Sequence, residues 1–198
     1  GTITIDGSGT FGSILASGTT GINVNAPGQT VIIRGLSING TGSTGPSGIY
    51  GVRVLAAGTL HVENCTIANF TQVGIEIEAA SSLFVESTTI RRALVGGIRL
   101  EPSSGSVIAA LVGVHLETSG FGLRVASNAT ATVRDSSAAG NTGNGFWADG
   151  AAAKLNLSRV QKRVQENHKV PFTYDPSVPE LIGQRCTELE RGARMVDA

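Results

Sequence analysis

The sequence predicts an all-β chain that winds as a coil of short parallel strands, and three observations carry that prediction. The first is a phrase that returns, a glycine followed by apolar-x-apolar. It stands at Gly21-Ile22-Asn23-Val24, Gly51-Val52-Arg53-Val54, Gly74-Ile75-Glu76-Ile77, Gly97-Ile98-Arg99-Leu100, Gly122-Leu123-Arg124-Val125 and Gly145-Phe146-Trp147-Ala148. The intervals are 30, 23, 23, 25 and 23 residues, the mark of units that bury their apolar faces only by stacking on one another. The second is that each phrase is followed by two further short apolar segments, joined by bends too short for a helix. The third is composition: 27 glycines and few aromatics suit brief strands between tight turns.

In order, Thr2-Ile3-Thr4-Ile5-Asp6 alternates with period two, as a strand with one buried face does. A glycine-rich loop through Phe11 and Ile14 leads to the first phrase, and Pro27-Gly28 marks a turn. Val31-Ile32-Ile33-Arg34 and Leu36-Ser37-Ile38-Asn39 complete that unit. The next unit pairs Val52/Val54 with Leu60-His61-Val62-Glu63 and Cys65-Thr66-Ile67; the one after has Ile75/Ile77, Leu83-Phe84-Val85-Glu86 and Thr88-Thr89-Ile90. Ile98/Leu100, Val107/Ala109 and Val112/Val114 form a fourth, and Leu123/Val125, Ala131/Val133 and Ser136/Ala138 a fifth. Phe146/Ala148 and Leu155/Leu157 begin a sixth that does not finish. Parallel strands need a crossover, and here each crossover is two more strands, so the chain rises about 4.8 Å per turn. Leucine-rich repeats need a Leu/Asn consensus that is missing, and helical repeats a 3.6-residue period that is also missing.

Charge divides the chain. Residues 1–157 carry 17 charged side chains and 158–198 carry 13, while only two of the 27 glycines lie in the second part. Formal net charge is zero, which argues against nucleic acid as a partner. No apolar run approaches the roughly 20 residues of a membrane span. Cys65 and Cys186 make no disulfide framework, and Cys65 reads as a small buried hydrophobe. His61, His115 and His168 lack ligand spacing, so neither a metal site nor a cofactor is expected. The sequence opens on Gly1 inside a strand pattern, so an extracellular or periplasmic location is expected if an export signal has been removed.

Val62-Glu63-Asn64-Cys65-Thr66-Ile67, Gly74-Ile75-Glu76-Ile77 and Asn141-Thr142-Gly143-Asn144-Gly145-Phe146 make residues 1–157 resemble right-handed parallel β-helix proteins of the pectin-lyase-like superfamily, in its uncharacterised bacterial branch. The resemblance implies a right-handed parallel β-helix of about six coils, three short strands per coil, followed by a short α-rich tail. It does not single out an activity, because that fold hosts lyases, hydrolases, epimerases, adhesins and inert scaffolds.

In the tail, Val160–His168 reads as a short amphipathic helix stopped before Pro171, and Phe172-Thr173-Tyr174 as strand-like. Asp175-Pro176 then caps a second helix through Val178, Leu181, Ile182 and Cys186. His168-Lys169-Val170-Pro171-Phe172-Thr173-Tyr174-Asp175, Arg185-Cys186-Thr187-Glu188-Leu189-Glu190 and Gly192-Ala193-Arg194 resemble the small C-terminal domain of Clp-type AAA+ ATPases, the branch that recycles type VI secretion sheaths. The resemblance places the family's nucleotide-sensing arginine at Arg194. The sequence has no G-x-x-x-x-G-K-[ST] phosphate loop, so ATP hydrolysis is not expected. The tail reads as a borrowed fragment that covers an open coil end, or through which chains self-associate.

Stacking sets the outward residues in rows. One row on the first sheet reads Asn23, Arg53, Glu76, Arg99, Arg124, Trp147; the next reads Asn25, Leu55, Glu78, Glu101, Ala126, Asp149. Three readings of this face stay open. In one, Arg53–Glu76–Arg99 is an ion-pair ladder that sets register. In another, the face binds polysaccharide through Arg53, Glu76, Trp147 and Asp149, with Trp147 as the stacking platform. In the third, Glu78 and Glu101, one coil apart, approach the roughly 5 Å of a retaining glycosidase pair, with Arg99 and Arg124 beside them. The Asp-rich motifs of pectin hydrolases and the calcium-binding Asp cluster of pectate lyases are missing. On the second sheet, His61, Phe84, Ile108 and Thr132 are expected in one outward row and Arg34, Glu63, Glu86 and Arg134 in another. Asn64, Ser87 and Asp135 mark a corner whose polar side chains serve turn amides.

Overall fold

A computed structural model describes residues 1–41, 47–150 and 154–157 of the 198-residue chain. The helices, the strand and the cap expected within 158–198 lie outside the described residues.

The glycine-led phrases become rungs of one stack. In chain order the strands are β1 (Thr2–Asp6), β2 (Ser13–Leu15), β3 (Ile22–Arg34), β4 (Ser37–Asn39), β5 (Val52–Glu63), β6 (Thr66–Phe70), β7 (Val73–Ile77), β8 (Ser81–Glu86) and β9 (Thr89–Ala93). They continue as β10 (Gly96–Leu100), β11 (Val107–Val112), β12 (His115–Glu117), β13 (Phe121–Ala126), β14 (Ala129–Arg134), β15 (Ser137–Ala139), β16 (Phe146–Asp149) and β17 (Lys154–Leu157). Every pairing between them is parallel and joins strands of successive coils. The third strands form a sheet of their own, in the order β15-β12-β9-β6-β4-β2. The described chain is an all-β solenoid of about six turns.

Three separate strands per coil hold from β7 onward. In the two coils before it, the first and second strands run together as the 13-residue β3 and the 12-residue β5. The bend survives there as register shifts between Val24 and Asn25 and between Ala26 and Thr30. This irregularity places Asn25 opposite Ala56, not Leu55 as the unbroken alternation predicts.

Inward residues stack in columns. Val52, Ile75, Ile98 and Leu123 follow one another rung by rung, as do Val54, Ile77, Leu100 and Val125, and all eight are fully buried. Ile38, Ile67, Ile90 and Leu116 make the third-sheet column. Removing one such side chain from water is worth about 1.5–3 kcal/mol, so the columns are the main source of cohesion. The glycine that leads each phrase is needed for close approach: a Cβ on Gly74 would meet Ile90 Cγ2 at 2.3 Å and the Gly97 carbonyl oxygen at 2.8 Å. At the N-terminal end the second-strand columns run into solvent: Ile3, beside Val31, is 49% exposed and Ile5, beside Ile33, 38%.

The corner between second and third strands is left-handed in five coils, with φ of 64° at Gly35, 52° at Asn64, 47° at Ser87, 63° at Gly113 and 53° at Asp135. Asn and Asp tolerate that conformation better than most side chains. Amides at these turns are also served one residue further on. Thr88 Oγ1 accepts from the Cys65 amide at 3.2 Å and donates to the Glu86 carbonyl, and Ser136 Oγ accepts from the Val114 amide at 3.0 Å. Cys65 is buried, and burial pushes its thiol pKa up.

Two further expectations need correction. The third strand of the fourth coil is His115-Leu116-Glu117, not Val112/Val114, because Val107–Val112 forms one strand whose Ala109 and Leu111 sit beside Leu83 and Val85. The outward row therefore runs His61, Phe84, Ala110, Thr132, and Ile108 lies two residues away beside Ser82 and Thr130. The expected apolar strip of Phe84 and Ile108 is broken; Phe84 instead stacks on His61, ring centroids 4.9 Å apart.

Candidate functional site

The charged face lies on the outer side of the first strands, and its main row is as expected. Asn23, Arg53, Glu76, Arg99, Arg124 and Trp147 are register neighbours across β3, β5, β7, β10, β13 and β16. Strand stacking sets these side chains about 4.8 Å apart. Glu78 and Glu101 follow the last residues of β7 and β10, and their amides bond to Val54 and Ile77, so they occupy equivalent places one coil apart. Asp149 pairs with Ala126.

Which charge meets which is decided by the side chains. Arg99 Nε donates to both carboxylate oxygens of Glu76, at 2.8 and 2.9 Å, and lies 3.5 Å from Glu101. Arg53 turns diagonally away from its row neighbour and grips Glu78 with two bonds of 2.8 and 3.0 Å. The expected Arg53–Glu76–Arg99 ladder is thus only half made. Arg124 donates to Asp149 through Nε at 2.8 Å and Nη2 at 2.6 Å, and reaches Glu101 at 3.3 Å. Three guanidiniums so bind all four carboxylates of the face: Glu76, Glu78, Glu101 and Asp149.

Glu76 stands apart from the others. Although it belongs to the outward row, it is 1% exposed. Burial raises its carboxyl pKa, and the hydrogen bond and charge of Arg99 oppose that without cancelling it. For Arg99, burial acts downward, but the bond to Glu76 and its charge hold the pKa above the usual value. The bond to Glu78 likewise raises that of Arg53.

Aromatic contacts complete the face. Arg124 lies 4.9 Å over the Trp147 ring, and Phe121 meets the same indole edge-on at 6.1 Å. One side of the expected stacking platform is therefore covered by a guanidinium. Arg53 lies 5.1 Å over Tyr50. Tyr50 and Phe121 were not singled out from the sequence; the signal available was that each directly precedes an anchor glycine.

The sequence model described as "Right handed beta helix region" matches residues 2–161. The chain belongs to the right-handed β-helix family. A second likeness is short: 48 residues are 54% identical to the AAA+ ATPase ClpV1 of Pseudomonas aeruginosa, covering 24% of this chain and 5% of that protein. That match agrees with the Clp-like resemblance of the tail, and it spans a small fraction of that relative's length. No solved structure matches.

Proposed function

We propose that this β-helix is a non-catalytic module, a rigid scaffold whose first-sheet face binds carbohydrate or a like surface. The pairing of every carboxylate on that face with an arginine carries the reading. A retaining pair needs one carboxyl protonated and one free to attack. Glu78 and Glu101 are instead held by Arg53 and by Arg99 with Arg124. What remains open to a ligand is the outer edge of these charges and the uncovered side of Trp147. Such features suit hydrogen bonding and stacking against sugar rings. The pectin-lyase-like resemblance supports a glycan as the ligand class. Retention of the full chain on immobilised acidic and neutral glycans tests this: Trp147→Ala is expected to weaken it, and unchanged retention rules this face out.

The rival reading is a polysaccharide lyase or glycoside hydrolase on the same face. The raised pKa of Glu76 favours it, since a general acid works best with a pKa shifted up towards the working pH. Against it, Glu76 is buried beneath Arg99 and out of reach of a polymer.

For the tail we propose a covering role over the C-terminal coil end, or self-association through it, with no ATP hydrolysis. Truncation after Leu157 is then expected to give aggregated or oligomeric material, and an equally stable, monodisperse product would contradict this.

A further inference from the structure

The first-sheet face carries its own counter-charges, and their arrangement limits which sugars it can hold. Guanidiniums from Arg53, Arg99 and Arg124 meet carboxylates from Glu76, Glu78, Glu101 and Asp149. Three cations against four anions leave one formal negative charge. Two of the pairs are also layered. The side chain of Glu101 is 45% exposed and that of Asp149 34%, whereas those of Arg99 and Arg124 are each 21% exposed. At the Arg53–Glu78 pair the two partners are about equally exposed. From Glu101 to Asp149, solvent therefore meets carboxylate before it meets guanidinium.

An acidic sugar could gain from these arginines only by taking one from its carboxylate. Arg53 already gives Glu78 two bonds, at 2.8 and 3.0 Å, and Arg124 gives Asp149 two, at 2.8 and 2.6 Å. A uronate would also stand beside Glu101 and Asp149, and like charges brought together at an interface repel. A hydroxyl needs no such exchange. A carboxylate has about four acceptor positions and a guanidinium five N–H groups, more than one pairing uses, so a hydroxyl can donate to one or accept from the other. The side of the Trp147 ring away from Arg124 adds an uncharged stacking surface. From Arg53 to Trp147 the row climbs four rungs, about 19 Å along the stack. A chain of sugars lying along that axis meets all three arginines and the indole.

Resting on the carbohydrate-binding reading of this face, we infer that its ligand is an uncharged, hydroxyl-rich polysaccharide lying along the stack. Glu101 and Asp149 set that selectivity by keeping Arg124 from acidic glycans. Affinity electrophoresis of the full chain through gels holding galactomannan, xyloglucan, polygalacturonate or chitosan tests this. Retardation by a neutral glycan is expected, unchanged by added salt and weakened by Trp147→Ala, with none by polygalacturonate. The double variant Glu101→Gln/Asp149→Asn leaves Arg124 without an acidic partner among the described residues. It is expected to bind polygalacturonate about tenfold or more tighter than wild type, in a salt-sensitive way. The wild-type comparison stands without that variant. Wild-type retardation by polygalacturonate or chitosan as strong as by the neutral glycans, or no gain in a folded double variant, would overturn the inference. If that retardation still falls with Trp147→Ala, the face binds carbohydrate and its selectivity alone is wrong; no retardation by any glycan overturns both.

Discussion

The first-sheet face and the flank beside β6 are both polar, yet they use charge in opposite ways. On the face, three arginines and four carboxylates bind one another, and one carboxylate is buried outright. On the flank beside β6, Arg92 makes no ion pair among the described residues. Density of charge is thus a poor guide to a site. A carboxylate already held by a guanidinium in fixed geometry is part of the scaffold, and reaching it costs the pair it belongs to. A cation that is not ion-paired has nothing to give up but water.

The largest expected effect tests whether the face rests on the columns beneath it. Ile75→Ala, one residue from Glu76 and fully buried, is expected to cost about 2–5 kcal/mol in denaturant unfolding. Leu94→Ala on the flank, 74% exposed, is expected to change stability by no more than about 0.5 kcal/mol. Comparable losses at both positions would erase the contrast.

A smaller effect, with a sign attached, is expected at Glu76. Its pKa is raised in the folded state, so folding favours the protonated form. Its contribution is greatest below the ordinary value of 4.5 and declines as pH rises through the window up to the folded pKa. Gln imitates the protonated form. Wild-type stability minus that of Glu76→Gln should therefore fall as pH rises from 4.5. The substitution itself should cost less than the roughly 3–5 kcal/mol of stranding a buried charge, because Arg99 keeps Glu101. A difference that grows with pH would mean that attraction to Arg99 outweighs burial.

Much of the face was readable in the sequence because a glycine fixes the frame of each first strand. Gly74 and its equivalents have room for no side chain, so every row beginning from them falls into register, from Arg53 to Trp147. The second strands carry no such marker. Val107-Ile108-Ala109-Ala110-Leu111-Val112 alternates, and an alternation of period two looks the same after a shift of two residues. Register puts three extra residues of that coil before Val107, since Gly96 pairs with Val73 but Val107 with Ser81; the pattern alone allows a frame two residues off, in which Ile108 stands where Ala110 does. Side-chain pairing was also beyond the pattern: register makes Arg53 and Glu76 neighbours, but the longer reach to Glu78 allows two bonds. Nor does a place in an outward row announce that Glu76 is buried and bound by Arg99.

The most direct test of the whole reading is turnover. The full chain, incubated with pectins, alginates and neutral glycans, is predicted to release no reducing ends or unsaturated products above the level of Glu101→Gln. Release that Glu101→Gln abolishes would contradict it, and would show that a carboxylate held by Arg99 and Arg124 is nevertheless free to react.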